Sequence, residues 1–350
     1  MSLAHTHSPP ARVVIAGLNH GHVNWYFQRL PRNDIELVGV YEPDRELAQR
    51  FVQQRGLRAD LVYHDLGQML DAVKPQGAMA FNAIYDHLSV VEACAPRGVH
   101  VMVEKPLAVS VAHAQRMAEL ARQHNIQLLT NYETTWYPSV HAAQRMVCAE
   151  QTIGAIWKVV VHDGHWGPKE IGVGDEFLRW LTDPVLNGGG AIIDFGCYGA
   201  NLMTWLMGGA SPIKVSATTQ QIKPDIYPKV DDDATLVLTY PKAQCVIQAS
   251  WNWPVSRKDM EIYGQRGYVF VPNKLTLRTC RGQRDPEQTV ELAAPVAPVD
   301  DVFAFFAAAL RGEPLGEHMA LSSLENNMVV VQILEAARES ARTGMTMRLS

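Results

Sequence analysis

The chain has 350 residues, of which 31 are basic and 36 acidic, giving a formal net charge of −5 and a hydrophobic content of 47%. That is enough apolar material for one large core or two ordinary ones, so a soluble globular protein is expected. No apolar run is long enough to span a bilayer, the opening MSLAHTHSPPARVVIAGL lacks a secretory layout, and Lys and Arg do not cluster; membrane and nucleic-acid partners are therefore not expected, and the cytoplasm is. Residues 1–10 read as a loose lead. Cys94, Cys148, Cys197, Cys245 and Cys280 are scattered without a CxxC, which suits reduced buried thiols rather than disulfides or zinc.

In chain order, short β-rich apolar runs first alternate with amphipathic helical segments. The runs are RVVIAGL (12–18), IELVGVYE (35–42), GAMAFNA (77–83), HVMVEKP (100–106) and IQLLTN (126–131). Between them lie DRELAQRFVQQRG (44–56), LSVVEACAPRG (88–98) and SVAHAQRMAELARQHN (110–125), closed by Gly or Asn. This alternation predicts an α/β fold: a doubly wound parallel sheet of Rossmann type over residues 1–130. From 131 to 350 the texture changes. Helices expected at 137–150 and 193–207 precede IKVSATTQ (213–220), DATLVLTYP (233–241), QCVIQASWNW (244–253), KDMEIYG (258–264) and YVFVP (268–272). Strands joined by short turns predict an α+β second domain with a large, mostly antiparallel sheet.

In 244–253 the period of two puts Cys245, Ile247, Ala249, Trp251 and Trp253 on one face, and Val246, Gln248, Ser250 and Asn252 on the other. The second face is polar yet uncharged. A partner subunit is expected to cover it, giving a homo-oligomer, dimer or tetramer, through the C-terminal sheet; the alternative is a plainly exposed Gln/Ser-rich face.

GLNHGH (17–22) falls where the first strand meets the first helix, the place at which small residues let a dinucleotide pyrophosphate reach backbone N–H groups. Gly17 matches a GxGxxG pattern, while Asn19 and His22 stand at its second and third glycine positions; Gly17, Asn19, His20, Gly21 and His22 are the candidate phosphate-loop residues. Glu42, ending the second strand, is placed to hold adenosine ribose hydroxyls and would repel a 2′-phosphate. NAD is favoured over NADP on that ground, with Arg45 near enough to accommodate the phosphate, and a merely solvated strand end is the competing reading. VEKP (103–106) closes a strand at the carboxyl edge, where open α/β sheets bind ligands, and Pro106 restricts Lys105 so that it points into the cleft rather than lying in a surface turn.

GLNHGH, HVMVEKPLA (100–108), GGGAIIDFGCYGANLMTWLMGG (188–209), DDDATLVLTYP (231–241) and EAARESARTGMTMRL (335–349) together resemble the glucose-fructose oxidoreductase / inositol dehydrogenase (Gfo/Idh/MocA) family over nearly the whole chain. The EKP and GGG-to-Asp segments are the specific ones. The resemblance implies a Rossmann domain followed by an open-faced antiparallel sheet, and NAD(P)-dependent oxidation or reduction of a sugar or polyol carbon. It implies Lys105 as the catalytic lysine, with Asn82, His87 and Glu104 in stretches that line nicotinamide and ribose. Many relatives carry Asp-x-x-x-His where this chain has Asp194 and Tyr198, similar to the tyrosine-bearing branches that include glucose-fructose oxidoreductases and dimeric dihydrodiol dehydrogenases. A redox-neutral enzyme using tightly held NAD on glycosides and a non-catalytic NAD sensor are the alternative functions.

Asp194 and Tyr198 are four apart and share one face of a helix. Alcohol oxidation needs a base, and free tyrosine, with a pKa of about 10, is phenolate in only roughly one molecule per thousand at pH 7. A neighbouring Lys105 ammonium is expected to lower that pKa, coupling Lys105 and Tyr198 in a proton relay oriented by Asp194. The competing readings are an Asp194 helix cap and a Tyr198 core aromatic. Trp136, Tyr137, His165, Trp166, Arg179 and Trp180 are candidate sugar contacts, as flat aromatics and directional donors. Gly188 to Gly190 are expected to let the backbone pass close to a ligand or strand. His162 and His165 lack further ligands for zinc, so no metal is expected.

Overall fold

The structure is a computed structural model that describes residues 9–349; most of the lead expected at 1–10 lies outside them. The early apolar runs form β1 (Ala11–Ala16), β2 (Ile35–Tyr41), β4 (Gly77–Ala80), β5 (His100–Glu104) and β6 (Leu128–Asn131), joined by a two-residue β3 (Val62–Tyr63). They make a six-stranded parallel sheet in the order β3-β2-β1-β4-β5-β6. This is the doubly wound Rossmann order, with its switch point between β1 and β4. The helices α1 (Asn24–Gln28), α2 (Arg45–Arg55), α3 (Leu66–Val73), α4 (His87–Cys94) and α5 (Val111–Gln123) connect the strands. Local chemistry fixes their ends. In α2 the Asp44 carboxylate accepts from the amides of Glu46 and Leu47, Gly56 at φ 72° terminates the helix, and Leu47, Ala48 and Phe51 face inward.

The second sheet comprises β7 (Ile156–Gly164), β8 (Lys214–Gln220), β9 (Asp233–Thr239), β10 (Gln244–Ser250), β11 (Arg257–Gly264), β12 (Tyr268–Val271), β13 (Thr276–Cys280), β14 (Gln288–Glu291) and β15 (Met347–Arg348). Its order is β14-β13-β12-β11-β7-β10-β9-β8-β15, antiparallel except where β7 meets β10. On one face lie α6 (Pro138–Gln144), α7 (Asp175–Leu181), α8 (Ala191–Asp194) and α9 (Gly196–Leu206). The expected helix at 137–150 is therefore α6 continued by a π-helical turn, and that at 193–207 is α8 and α9, broken at Phe195. The expected facial split of β10 holds from Cys245 to Ala249. Ser250 departs from it, being buried, because the strand ends there with Gly164 pressed against its carbonyl.

The chain then returns to the first sheet. In α10 (Val302–Leu310) the Phe303 ring lies 5.4 Å from Tyr26 and 6.1 Å from Phe81, and Phe305 lies 5.0 Å from Trp136. Phe306 closes over Gly77 so tightly that a Cβ there would stand 2.7 Å from its ring. After the short α11 (Glu317–Ser322), α12 (Leu324–Thr343) sends Leu324 and Val331 into the core of the first sheet, and Ile333, Leu334 and Ala337 into that of the second. The two sheets are thus clamped together, and a cleft forms at the carboxyl edge of the first.

Candidate active site

Lys105 follows the last residue of β5 and crosses the cleft to Asp194 at the end of α8. Its Nζ donates to the Asp194 carbonyl at 2.8 Å and pairs with Asp194 Oδ1. The other carboxylate oxygen accepts from Trp251 Nε1 at 2.9 Å. Asp194 is not the helix cap; Asp231 is, accepting from the amides of Gly190 at 2.9 Å and Ile192 at 2.7 Å. A Cβ on Gly190 would lie 1.8 Å from the Asp231 carbonyl, so the glycine run here makes room for the chain at Asp231.

Burial opposes charge on Lys105, but Asp194 outweighs it and raises its pKa; burial likewise opposes the Asp194 carboxylate, and Lys105 outweighs it and lowers its pKa. The pair is an ammonium carboxylate in a site nearly closed to water. Tyr198 lies on the next turn, buried, with Lys105 Nζ 5.2 Å from its ring centroid. The expected lowering of its pKa is not what this environment produces. Burial, followed by the charge of Glu133, holds the phenol well above its ordinary pKa, because the lysine is committed to Asp194.

In the loop after β1 the His20 amide donates to the Phe81 carbonyl at 2.9 Å, and its ring Nδ1 accepts from the His22 amide at 3.1 Å. Burial keeps His20 neutral, so its single ring proton sits on Nε2, 4.0 Å from Glu104 Oε2. His22 Nδ1 lies 3.0 Å from the same oxygen, and Asn131 donates to the other at 2.7 Å. Burial pushes the Glu104 carboxyl up, but the two histidines and these hydrogen bonds outweigh it, bringing its pKa to about 2. His20, His22 and Glu104 have ligand atoms within 4.8 Å of one another. Within this cluster the Glu104 carboxylate is hydrogen-bonded to His22 and Asn131.

Gly17 has φ +88° and faces Asn82, whose Cβ would be 2.7 Å from an added Cβ; its smallness serves strand-end packing. The Asn19 carbonyl accepts from Trp180 Nε1 at 3.1 Å. His87 Nδ1 lies 3.1 Å from the Leu107 carbonyl, and burial lowers its pKa to about 4. Asn19 Oδ1, Asn82 Oδ1 and His87 Nε2 are buried with no partner among the described residues. Three orphaned polar atoms beside the carboxyl edge fit a polar dinucleotide. Glu42 is no solvated strand end: it is 2% exposed and accepts from the amides of Leu18 at 2.8 Å and Asp44 at 2.9 Å. It braces the loop after β1, with lone pairs left over for a further donor.

A cavity of about 570 Å³ gathers His20, Gly21, His22, Lys105, Asp194, Tyr198 and His165 on one wall or another. His165 is turned edge-on to Phe195 at 5.0 Å, and burial lowers its pKa to about 4. Other expected substrate contacts lie elsewhere. Trp136 is 5% exposed in the core of the first sheet, with Nε1 on Asn131 Oδ1, because α10 packs on its ring. Trp166 is 61% exposed outside the cavity, and Arg179 faces solvent on α7. His162 bonds Asp259 at 2.9 Å on the open face of the sheet, while His165 faces the cavity. Glu133, Phe177, Phe195 and Lys258 line the same cavity and were not anticipated. Lys258 carried a readable signal, since it is in phase with the buried Met260 and Ile262 of β11.

Residues 11–132 match the model of an oxidoreductase family with an NAD-binding Rossmann fold, and residues 140–270 match the GFO/IDH/MocA C-terminal domain. The chain is 27% identical to trans-1,2-dihydrobenzene-1,2-diol dehydrogenase of Sus scrofa over 65% of its own length and 64% of that enzyme, slightly under two thirds. It is 26% identical to D-xylose 1-dehydrogenase [NADP(+)] of Haloarcula marismortui over 82% of this chain and 77% of the relative. Among solved structures, an inositol dehydrogenase homologue from Azotobacter vinelandii in complex with NAD+ superposes with a TM-score of 0.82 at 19% identity, covering 98% of each chain. The aldose-aldose oxidoreductase of Caulobacter crescentus, complexed with glycerol, gives 0.79 at 21% identity over 97% of this chain and 100% of the other.

Proposed function

Because the chain belongs to the Gfo/Idh/MocA oxidoreductase family, we propose that it is an NAD(P)-dependent dehydrogenase or reductase acting on a CH–OH carbon of a sugar, polyol or related cyclic alcohol. The observation that carries this reading is the sealed Lys105–Asp194 pair beside Tyr198 in the cavity at the carboxyl edge of the Rossmann sheet. The bound nicotinamide cofactor supplies hydride acceptance or return. Lys105 holds the proton exchanged with the substrate oxygen, and Asp194 fixes the direction of its ammonium. Tyr198, as a neutral phenol, donates a hydrogen bond to that oxygen. As described, the site carries its proton and is set to give it to a carbonyl; in the oxidative direction Lys105 must first lose it.

Gly17, Asn19, His20, Gly21 and His22 are proposed to meet the pyrophosphate, Asn82, His87 and Glu104 the nicotinamide and its ribose, and Glu42 the adenosine ribose. A carboxylate there favours NAD over NADP. The cofactor unit is proposed to be residues 1–130 and the substrate and oligomer unit 131–350, with the outer face of the second sheet covered by a second copy. No helix among the described residues is long and apolar enough to cross a membrane. The described cysteines are unpaired and largely buried, which supports a cytoplasmic setting. The test is to titrate NAD and NADP by fluorescence, then follow the absorbance of reduced cofactor over a panel of sugars, polyols and cyclic diols, with Lys105→Ala as control. Turnover that the variant loses is the expected result. Failure to bind either nucleotide overturns the reading.

A further inference from the structure

A second lysine reaches the same two rings as Lys105. Lys258, on β11, lies 4.8 Å from the Tyr198 ring centroid and 5.4 Å from that of Phe195; the corresponding distances for Lys105 are 5.2 and 5.6 Å. Lys258 also has its own carboxylate, Glu133 Oε2 at 2.9 Å, and Glu133 Oε1 accepts from the Tyr137 hydroxyl at 2.7 Å. Burial pushes the Glu133 carboxyl up, but Lys258 and the Tyr137 hydrogen bond outweigh it, bringing its pKa to about 2. Glu133 follows β6 of the first sheet and Lys258 belongs to the second, so this pair also spans the cleft.

The two pairs differ in access. Lys105 and Asp194 side chains are 7% and 5% exposed, whereas those of Lys258 and Glu133 are 22% and 34% exposed. Asp194 spends both oxygens on Lys105 and Trp251. Glu133 also engages both oxygens, with Lys258 and the Tyr137 hydroxyl, but it stands on a half-open wall where its remaining lone pairs can be reached, next to an ammonium with three donors. A hydroxyl is the group that uses both at once: it donates to a carboxylate and accepts from an ammonium. Tyr137 holds Glu133 in place while this happens.

We propose that Glu133 and Lys258 bind a second hydroxyl of the substrate while Lys105 and Tyr198 hold the reacting one, so that the site selects cyclic diols and polyols over mono-alcohols. This rests on the alcohol-oxidoreductase reading above. Glu133 and Lys258 are specificity-determining residues: they touch a part of the substrate that does not react, and their loss raises KM far more than it lowers kcat.

The test compares trans-1,2-cyclohexanediol with cyclohexanol on the full chain loaded with NAD, by turnover and, separately, by calorimetric binding. Losing one hydrogen bond to a charged group corresponds to about a 10- to 100-fold preference for the diol. That preference is expected in wild type, and is expected to collapse to within about threefold in Glu133→Gln and in Lys258→Met, mostly through KM, while NAD affinity stays unchanged. Lys258→Arg is expected to restore part of it. A diol preference that survives both substitutions, or its absence from wild-type turnover and binding alike, overturns the proposal and leaves the oxidoreductase reading standing. Absence of turnover together with a diol-selective binding that Glu133→Gln abolishes overturns the oxidoreductase reading and keeps the paired hydroxyl site.

Discussion

Two lysine–carboxylate pairs converge on Phe195 and Tyr198, one from the edge of the parallel sheet and one from the antiparallel sheet, and burial divides their work. The Lys105–Asp194 pair is nearly sealed, so its charges answer to each other and hardly to water. The Lys258–Glu133 pair is about a fifth to a third open, where an ion pair contributes little stability and its partners can be shared with a ligand. On the proposed reading, the same chemical pair serves as a fixed proton holder in one place and as an adaptable contact in the other.

The most damaging break of this contrast is Lys105→Met. It removes the proton carrier and strands Asp194, and kcat/KM is expected to fall by about 10²- to 10⁴-fold while fluorescence titration shows cofactor still bound. Tyr198→Phe removes only a neutral donor, and about a 10-fold loss of kcat is expected on the true substrate; full turnover by this variant would remove Tyr198 from the mechanism. A pH series sharpens the contrast. Since Asp194 raises the Lys105 pKa, the free amine is scarce at neutral pH, and kcat/KM for oxidation is expected to rise about tenfold per unit between pH 7 and 9, with the reductive reaction flat over the same range. The smallest effect belongs to the open pair. Glu133 has its pKa brought down to about 2, so its contribution to stability is present above the ordinary value of 4.5 and is lost as pH falls through 2. The urea midpoints of wild type and Glu133→Gln are accordingly expected to differ at pH 6 and to converge towards pH 2.

How much of this was legible follows the same division. The first sheet was readable because strands buried on both faces are continuous apolar runs with helices between them; only β3, two residues long, and α3 escaped. In the second sheet the central strand β7 went unread: burial alternates from Lys158 to His162, but Trp157 and Lys158 are both exposed and three valines follow in a row, so the residue types do not show the period of two. Lys105 and Asp194 were visible through the EKP and GGG segments. The phase of Lys258 with Met260 and Ile262 could have shown which face it takes, but its partnership with Glu133 could not be read, since that depends on how two sheets face each other across the cleft. The raised pKa of Tyr198 also depended on three-dimensional facts, its burial first and the nearby charge of Glu133 second. Trp136, expected at the substrate, lies in a core: flatness suits sugar binding and core packing equally, and its packing partner, Phe305, lies 169 positions away in the chain.

That long return bears on how the molecule is made. The Rossmann strands are complete at Asn131, yet the helix that covers Tyr26, Gly77 and Phe81 starts only at Val302. On a ribosome adding about 5–20 residues per second, the nascent first half waits roughly 10–30 s with that apolar face bare. During biosynthesis the early sheet thus stays unfinished on that face until the segment from Val302 to Leu310 has emerged.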